Sequence, residues 1–155
     1  MKKIGVACGI LVLLLAGCGQ DAPVRVEDHT WQLTTLQSRE ADGQIIARGP
    51  GAGQPDTAEE LDLTCTALDG VLTLIDATHD RTGTGSYQQV EATPQTVTYQ
   101  VWVEELEGMA AASVTVQADG QEIPTLILQL DNYTLNFCPA DAGPGQNAAQ
   151  TPETG

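Results

Sequence analysis

Basic residues are nearly missing from this chain: six Lys and Arg stand against 21 Asp and Glu, a net charge of −15. Nucleic-acid binding needs a basic footprint, so it is excluded as the main activity. Aromatic residues make up 4% of the sequence, too few for a base-stacking platform. The two histidines, His29 and His79, are fifty residues apart, and neither a His-x-x-x-His nor a Cys-x-x-Cys spacing occurs. A structural zinc site is therefore not encoded. There is no Gly-x-Ser-x-Gly elbow, and Gly83-x-Gly85 lacks the third glycine of a dinucleotide loop. Lysine stops at Lys3, which removes Schiff-base chemistry from everything downstream. The expectation is a non-enzymatic protein without a cofactor. Hydrophobic residues reach 41%, enough for a folded core in one domain.

The N-terminus carries an address. Lys2 and Lys3 precede an apolar run over residues 4–15. Twelve helical residues rise only ~18 Å, short of a ~30 Å bilayer core, so the run reads as a signal peptide over residues 1–17. It ends in Leu15-Ala16-Gly17-Cys18, which resembles the bacterial lipobox. That resemblance implies cleavage before Cys18 and acylation of its thiol, with diacylglycerol and palmitate-type chains. It also implies location at the cell membrane or outer membrane, facing away from the cytoplasm. The processed chain would keep four arginines against all 21 acidic residues, a net charge of −17. Such a body is repelled by anionic lipid, so the lipid is expected to be the whole anchor. Residues 18–29 read as the lipidated cysteine and a tether.

The body, residues 30–138, reads as strands. Leu61, Leu63, Cys65 and Ala67 alternate with Asp62, Thr64 and Thr66, the period of a half-buried strand. Asp69-Gly70 is a hairpin signal, and residues 71–75 return. Val97, Tyr99, Val101 and Val103 alternate with polar residues and Trp102, and promise the longest strand. Asp42-Gly43, Asp119-Gly120 and Asp131-Asn132 mark further turns, and residues 86–90 make another short strand. The one helix candidate is a turn at residues 57–61, with Thr57 as N-cap before Glu59 and Glu60. Residues 49–58 are a loop by composition. Residues 139–155, with three prolines and no large apolar side chain, are expected to be a disordered tail. A meander of about eight antiparallel strands leaves two open edges unless it closes, so the expected fold class is all-β, an up-and-down barrel.

The order of parts resembles small lipocalin-like envelope lipoproteins. Trp31-Gln32-Leu33 on the first strand, Asp42-Gly43, Gly83-Thr84-Gly85-Ser86-Tyr87 and the closing Asp131-Asn132-Tyr133 hairpin carry that resemblance. It implies that Trp31 plugs one end of the barrel, although the last strand has no arginine to cover it. A second resemblance is to the small Trp-x-Leu domains of heat-shock-type envelope lipoproteins, which mix strands with a helix.

Few groups invite chemistry. His79 lies in a polar stretch whose ordinary reading is a solvated turn. Glu104, Glu105 and Glu107 cluster at a strand end, where solvated charges are ordinary. Cys65 and Cys138 invite a disulfide outside the cytoplasm, worth ~3–4 kcal/mol for a loop of about seventy residues. The alternation opposes it: Cys65 shares the inward face of Leu61 and Leu63, whereas Cys138 is opposite in parity to Leu135 and Phe137. The expected function is a barrel holding a small apolar ligand or solute. The alternative is a structural or protein-interaction module with a filled core, its charge favouring cationic envelope partners.

Overall fold

The computed structural model describes residues 22–51 and 58–142. Residues 1–17, Cys18, the start of the tether, most of the 49–58 loop and the tail beyond Ala142 lie outside them. Ten strands form: β1 (Trp31–Ser38), β2 (Gln44–Arg48), β3 (Glu59–Glu60), β4 (Leu63–Leu68), β5 (Val71–Asp76), β6 (Arg81–Ala92), β7 (Thr96–Val103), β8 (Leu106–Val116), β9 (Glu122–Leu130) and β10 (Tyr133–Pro139). Eight of them, β1 and β4 to β10, close into an antiparallel barrel, β10 returning to pair with β1. Closure pairs the edges that an open meander would expose. The fold class expected from the alternation is the one observed.

β1 serves two neighbours on one edge. Its first residues pair with β4, as Trp31 with Cys65 and Gln32 with Thr64. Its later residues pair with β2, from Thr35 with Arg48 to Ser38 with Gln44. β2 and β3 are therefore an excursion from the ring, β3 running parallel to β2. This corrects the helix turn expected at residues 57–61. Thr57 lies outside the described residues, and Glu59 and Glu60 pair with Ala47 and Arg48 instead. A single helical turn fixes several dihedrals for one hydrogen bond, whereas an existing strand edge offers partners at once. The expected strand at residues 86–90 is part of β6. Both β6, with 12 residues, and β8, with 11, are longer than the eight-residue β7.

The β4–β5 hairpin turn uses residues that tolerate positive φ, whereas the β7–β8 turn places Glu104 at 54°. Asp69 and Gly70 sit at 49° and 81°, the pair a type I′ turn requires. At one end of the barrel lie Trp31, Pro139 and the β4–β5, β6–β7 and β8–β9 turns. The opposite end carries the β1–β2, β5–β6, β7–β8 and β9–β10 turns.

Inward side chains from seven of the eight barrel strands join one buried cluster, and the half-buried Tyr87 of β6 packs against it. Trp31, Tyr99 and Phe137 are its largest members, with Leu33, Leu72, Leu126 and Leu128 around them. The Trp31 end is closed by chain that reads as tether. A 3-10 turn, Val26–Asp28, lays the buried Val26 over the core. The Trp31 indole N–H donates to the Val26 carbonyl at 2.8 Å, and the Val26 N–H donates to the Tyr99 hydroxyl at 3.2 Å. His29 meets the Trp31 ring edge-on at 5.1 Å. The Val26 peptide and His29 thus cover the tryptophan, where the last strand has no arginine to do so. The folded body consequently begins before residue 30. It also runs past residue 138: Pro139 is buried, Ala140–Ala142 make a 3-10 turn, and the Ala140 N–H donates to the Thr30 carbonyl.

Candidate functional site

The lumen is occupied by the protein's own side chains, and a cavity opens beside it. β9 and β10 pair from Tyr133–Leu130 to Phe137–Leu126 and then part. Glu122 to Thr125 stay with β8, while Cys138 and Pro139 stay with β1. The wedge between them opens a groove of about 790 Å³ at the Trp31 end. Its floor includes Gln32, Thr35 and Asn136, and Ile123, Thr125 and Ile127 form one wall. Pro124 sits on the free edge of β9, where a missing N–H costs no ladder bond.

Side-chain hydrogen bonds brace the groove. Thr34, the extra residue of a bulge against β10, donates its hydroxyl to the Asn136 carbonyl at 2.9 Å. The Asn136 side-chain amide donates to the Thr35 hydroxyl at 3.0 Å. The Thr115 and Thr125 hydroxyls are 3.0 Å apart along the wall. Among the described residues, Arg48 and Glu122 are the charged members of its lining, and the Arg48 Nε is enclosed without an acceptor. The described lining consists mostly of hydroxyls, amides and aliphatic carbons, which recognise shape and hydrogen bonds.

A titratable cluster lies at the other end, around the β5–β6 turn. His79 places its Nδ1 2.9 Å from Asp76 Oδ2, and its backbone N–H donates to the other oxygen at 3.1 Å. The Arg81 guanidinium donates to Asp76 at 3.1 Å, and His79 Nε2 stands 3.6 Å from Glu59. Burial opposes ionisation of Asp76, but the hydrogen bonds from His79 and Arg81 outweigh it and hold its carboxyl below the usual range. The cluster ties the β3 excursion to the ring. Among the described residues no group of three or more His, Cys, Asp or Glu is arranged to hold a metal ion. Glu104, Glu105 and Glu107 are exposed around the β7–β8 turn, where Glu107 accepts a hydrogen bond from Gln100.

No family model, curated protein or solved structure matches this chain.

Cys65 and Cys138 are both free. Cys65 opposes Trp31 on β4 and faces the core, while Cys138 opposes Gln32 on β10 and faces the groove. β1 stands between them and their side chains point to opposite faces, so the invited disulfide does not form. Burial pushes the Cys65 thiol up to about 12 and raises Cys138 as well, so neither is an activated nucleophile. Cys18, the expected lipidation site, lies outside the described residues. No helix among them is long and apolar enough to cross a membrane. The groove and the Asp76 cluster were not anticipated from sequence. Pro124 inside an alternating strand and the Asp76-x-x-His79-x-Arg81 spacing were the signals present.

Proposed function

We propose that this protein is a lipid-anchored, non-enzymatic contact module of the bacterial cell envelope. Lys2-Lys3, the apolar run and Leu15-Ala16-Gly17-Cys18 support the anchor and the location outside the cytoplasm. The observation that carries the contact reading is the filled lumen: buried side chains of seven of the eight barrel strands pack into one cluster around Trp31, Tyr99 and Phe137, and the half-buried Tyr87 of β6 packs against it. A barrel of this size has room for its own side chains or for one small ligand, and here the side chains take the space. The barrel then works as a rigid post that presents its outer surface. A second reading, a small amphiphilic solute held in the outer groove, draws on the volume of about 790 Å³, within the range of ligand pockets.

Two measurements test this. Mass spectrometry of the membrane fraction should find Cys18 acylated, and Cys18→Ser should abolish the acylated species; an acylated mature Cys18→Ser protein overturns the anchor. Titration with an apolar fluorescent dye should leave the emission of buried Trp31 unchanged. Saturable quenching of Trp31, retained when Trp102 is replaced by Phe, would show an open lumen and overturn the contact reading.

A further inference from the structure

The most exposed large apolar side chains among the described residues gather at one end of the barrel. Leu68 is 70% exposed, Val116 63%, Val90 54% and Val71 49%. Leu68 and Val71 flank the β4–β5 turn, Val90 is two residues from the end of β6, and Val116 ends β8. All four therefore lie at the Trp31 end. The β8–β9 hairpin runs three residues past the last β7–β8 pair, Thr96 with Ser113, which leaves Val116 without a β7 neighbour.

Each of these residues has an acidic neighbour in sequence or across a strand pair. Asp69 lies between Leu68 and Val71, Glu91 follows Val90, and Glu122 is the cross-strand partner of Val116. Next to Leu68 a recess of about 460 Å³ is lined by Glu27, Asp28 and Asp69, with Arg25 as the one cation among its described residues. Carboxylates interleaved with aliphatics on this scale resist insertion into a bilayer and are repelled by anionic lipid. They suit a surface in which apolar side chains alternate with Lys or Arg.

We infer that the Trp31 end, from Leu68 and Val71 across Val90 to Val116, is the docking surface for a cationic amphipathic segment of another envelope protein. The inference rests on the contact-module reading and names its surface and partner class. Location agrees with it. Val26 closes this end and stands eight residues after Cys18, which limits its distance from the anchor to ~28 Å for a fully extended chain. The aliphatic side chains supply the apolar contact, and the Glu27–Asp28–Asp69 recess receives a Lys or Arg side chain.

The test is a binding titration of the mature protein in detergent micelles with a synthetic peptide alternating Lys and Leu. Two comparison peptides replace Leu by Ser or Lys by Glu. The Lys-Leu peptide should bind saturably and weaken with salt, and the other two should bind at least about tenfold more weakly. The triple variant Leu68→Asn, Val90→Thr, Val116→Thr should lose about tenfold in affinity, each substitution removing exposed aliphatic contact. Ile75→Thr with Leu106→Thr, at the opposite end, should leave affinity unchanged. Glu91→Gln with Glu122→Gln should flatten the salt dependence. Equal binding of the Ser or Glu peptide, or equal affinity of the triple variant, overturns the inference. So does loss of peptide binding on transfer into discs of neutral lipid, because lipid then covers the surface. Acylation of Cys18 is read separately by mass, so failure of the anchor and failure of this surface are distinguishable.

Discussion

Replacing Trp31 with alanine removes the largest fully buried side chain and the donor that holds the N-terminal plug. The indole is wholly buried, and its N–H reaches the Val26 carbonyl at 2.8 Å. Large-to-small substitution of a buried aromatic costs ~3–5 kcal/mol. The Val26 carbonyl loses its side-chain donor, which adds up to ~1–3 kcal/mol if water cannot reach it. Trp31→Phe keeps most of the volume and loses the donor, so it should cost ~1–2 kcal/mol. Urea unfolding followed by circular dichroism gives both values, and the order should be wild type, Trp31→Phe, Trp31→Ala. Tyr99→Phe removes the acceptor of the Val26 N–H, at 3.2 Å in the parent. Trp31 and Tyr99 grip the same peptide, so the Trp31→Phe and Tyr99→Phe costs should be non-additive by at least ~0.5 kcal/mol. Additive costs would show that Val26 is not a shared plug. A Trp31→Ala midpoint equal to the parent's would refute the packing argument outright.

Gly85 faces the β7 backbone so closely that a Cβ would overlap the Trp102 carbonyl. Gly85→Ala should destabilise by more than ~1 kcal/mol, read as a lowered melting temperature, and an unchanged melt would contradict it. Asp76 is held below the ordinary carboxylate range in the folded state, so its contribution is present above the unfolded value near ~4 and is lost as pH falls through the folded value. The urea midpoint should therefore drop on acidification through this range more in the parent than in Asp76→Asn, and parallel curves would remove Asp76 from the account. Cys65, buried with its thiol pushed up to about 12, should react with a thiol reagent at pH 8 only on unfolding, whereas half-buried Cys138 should react in the native protein. Native labelling of Cys65 ahead of Cys138 would reverse their assigned faces.

Local patterning in the sequence already determined the strands, their inward faces and several turns. The alternation of Leu63, Cys65 and Ala67 names a buried face because successive strand side chains point to opposite sides. The same parity places Cys65 and Cys138 on opposite faces. Asp-Gly pairs announce positive φ because those residues tolerate it. Tertiary structure alone decided which edges meet. β1 divides one edge between β4 and β2, a choice of register among segments dozens of residues apart that no local period encodes. Val26 is one aliphatic residue in a polar stretch, and only Trp31 and Tyr99 arriving beside it turn a tether into a plug. The groove likewise exists because β9 and β10 part after Leu126 and Phe137, where each strand keeps its other neighbour. Burial, register and the meeting of distant polar groups are properties of the closed barrel, and they emerge only when the barrel closes.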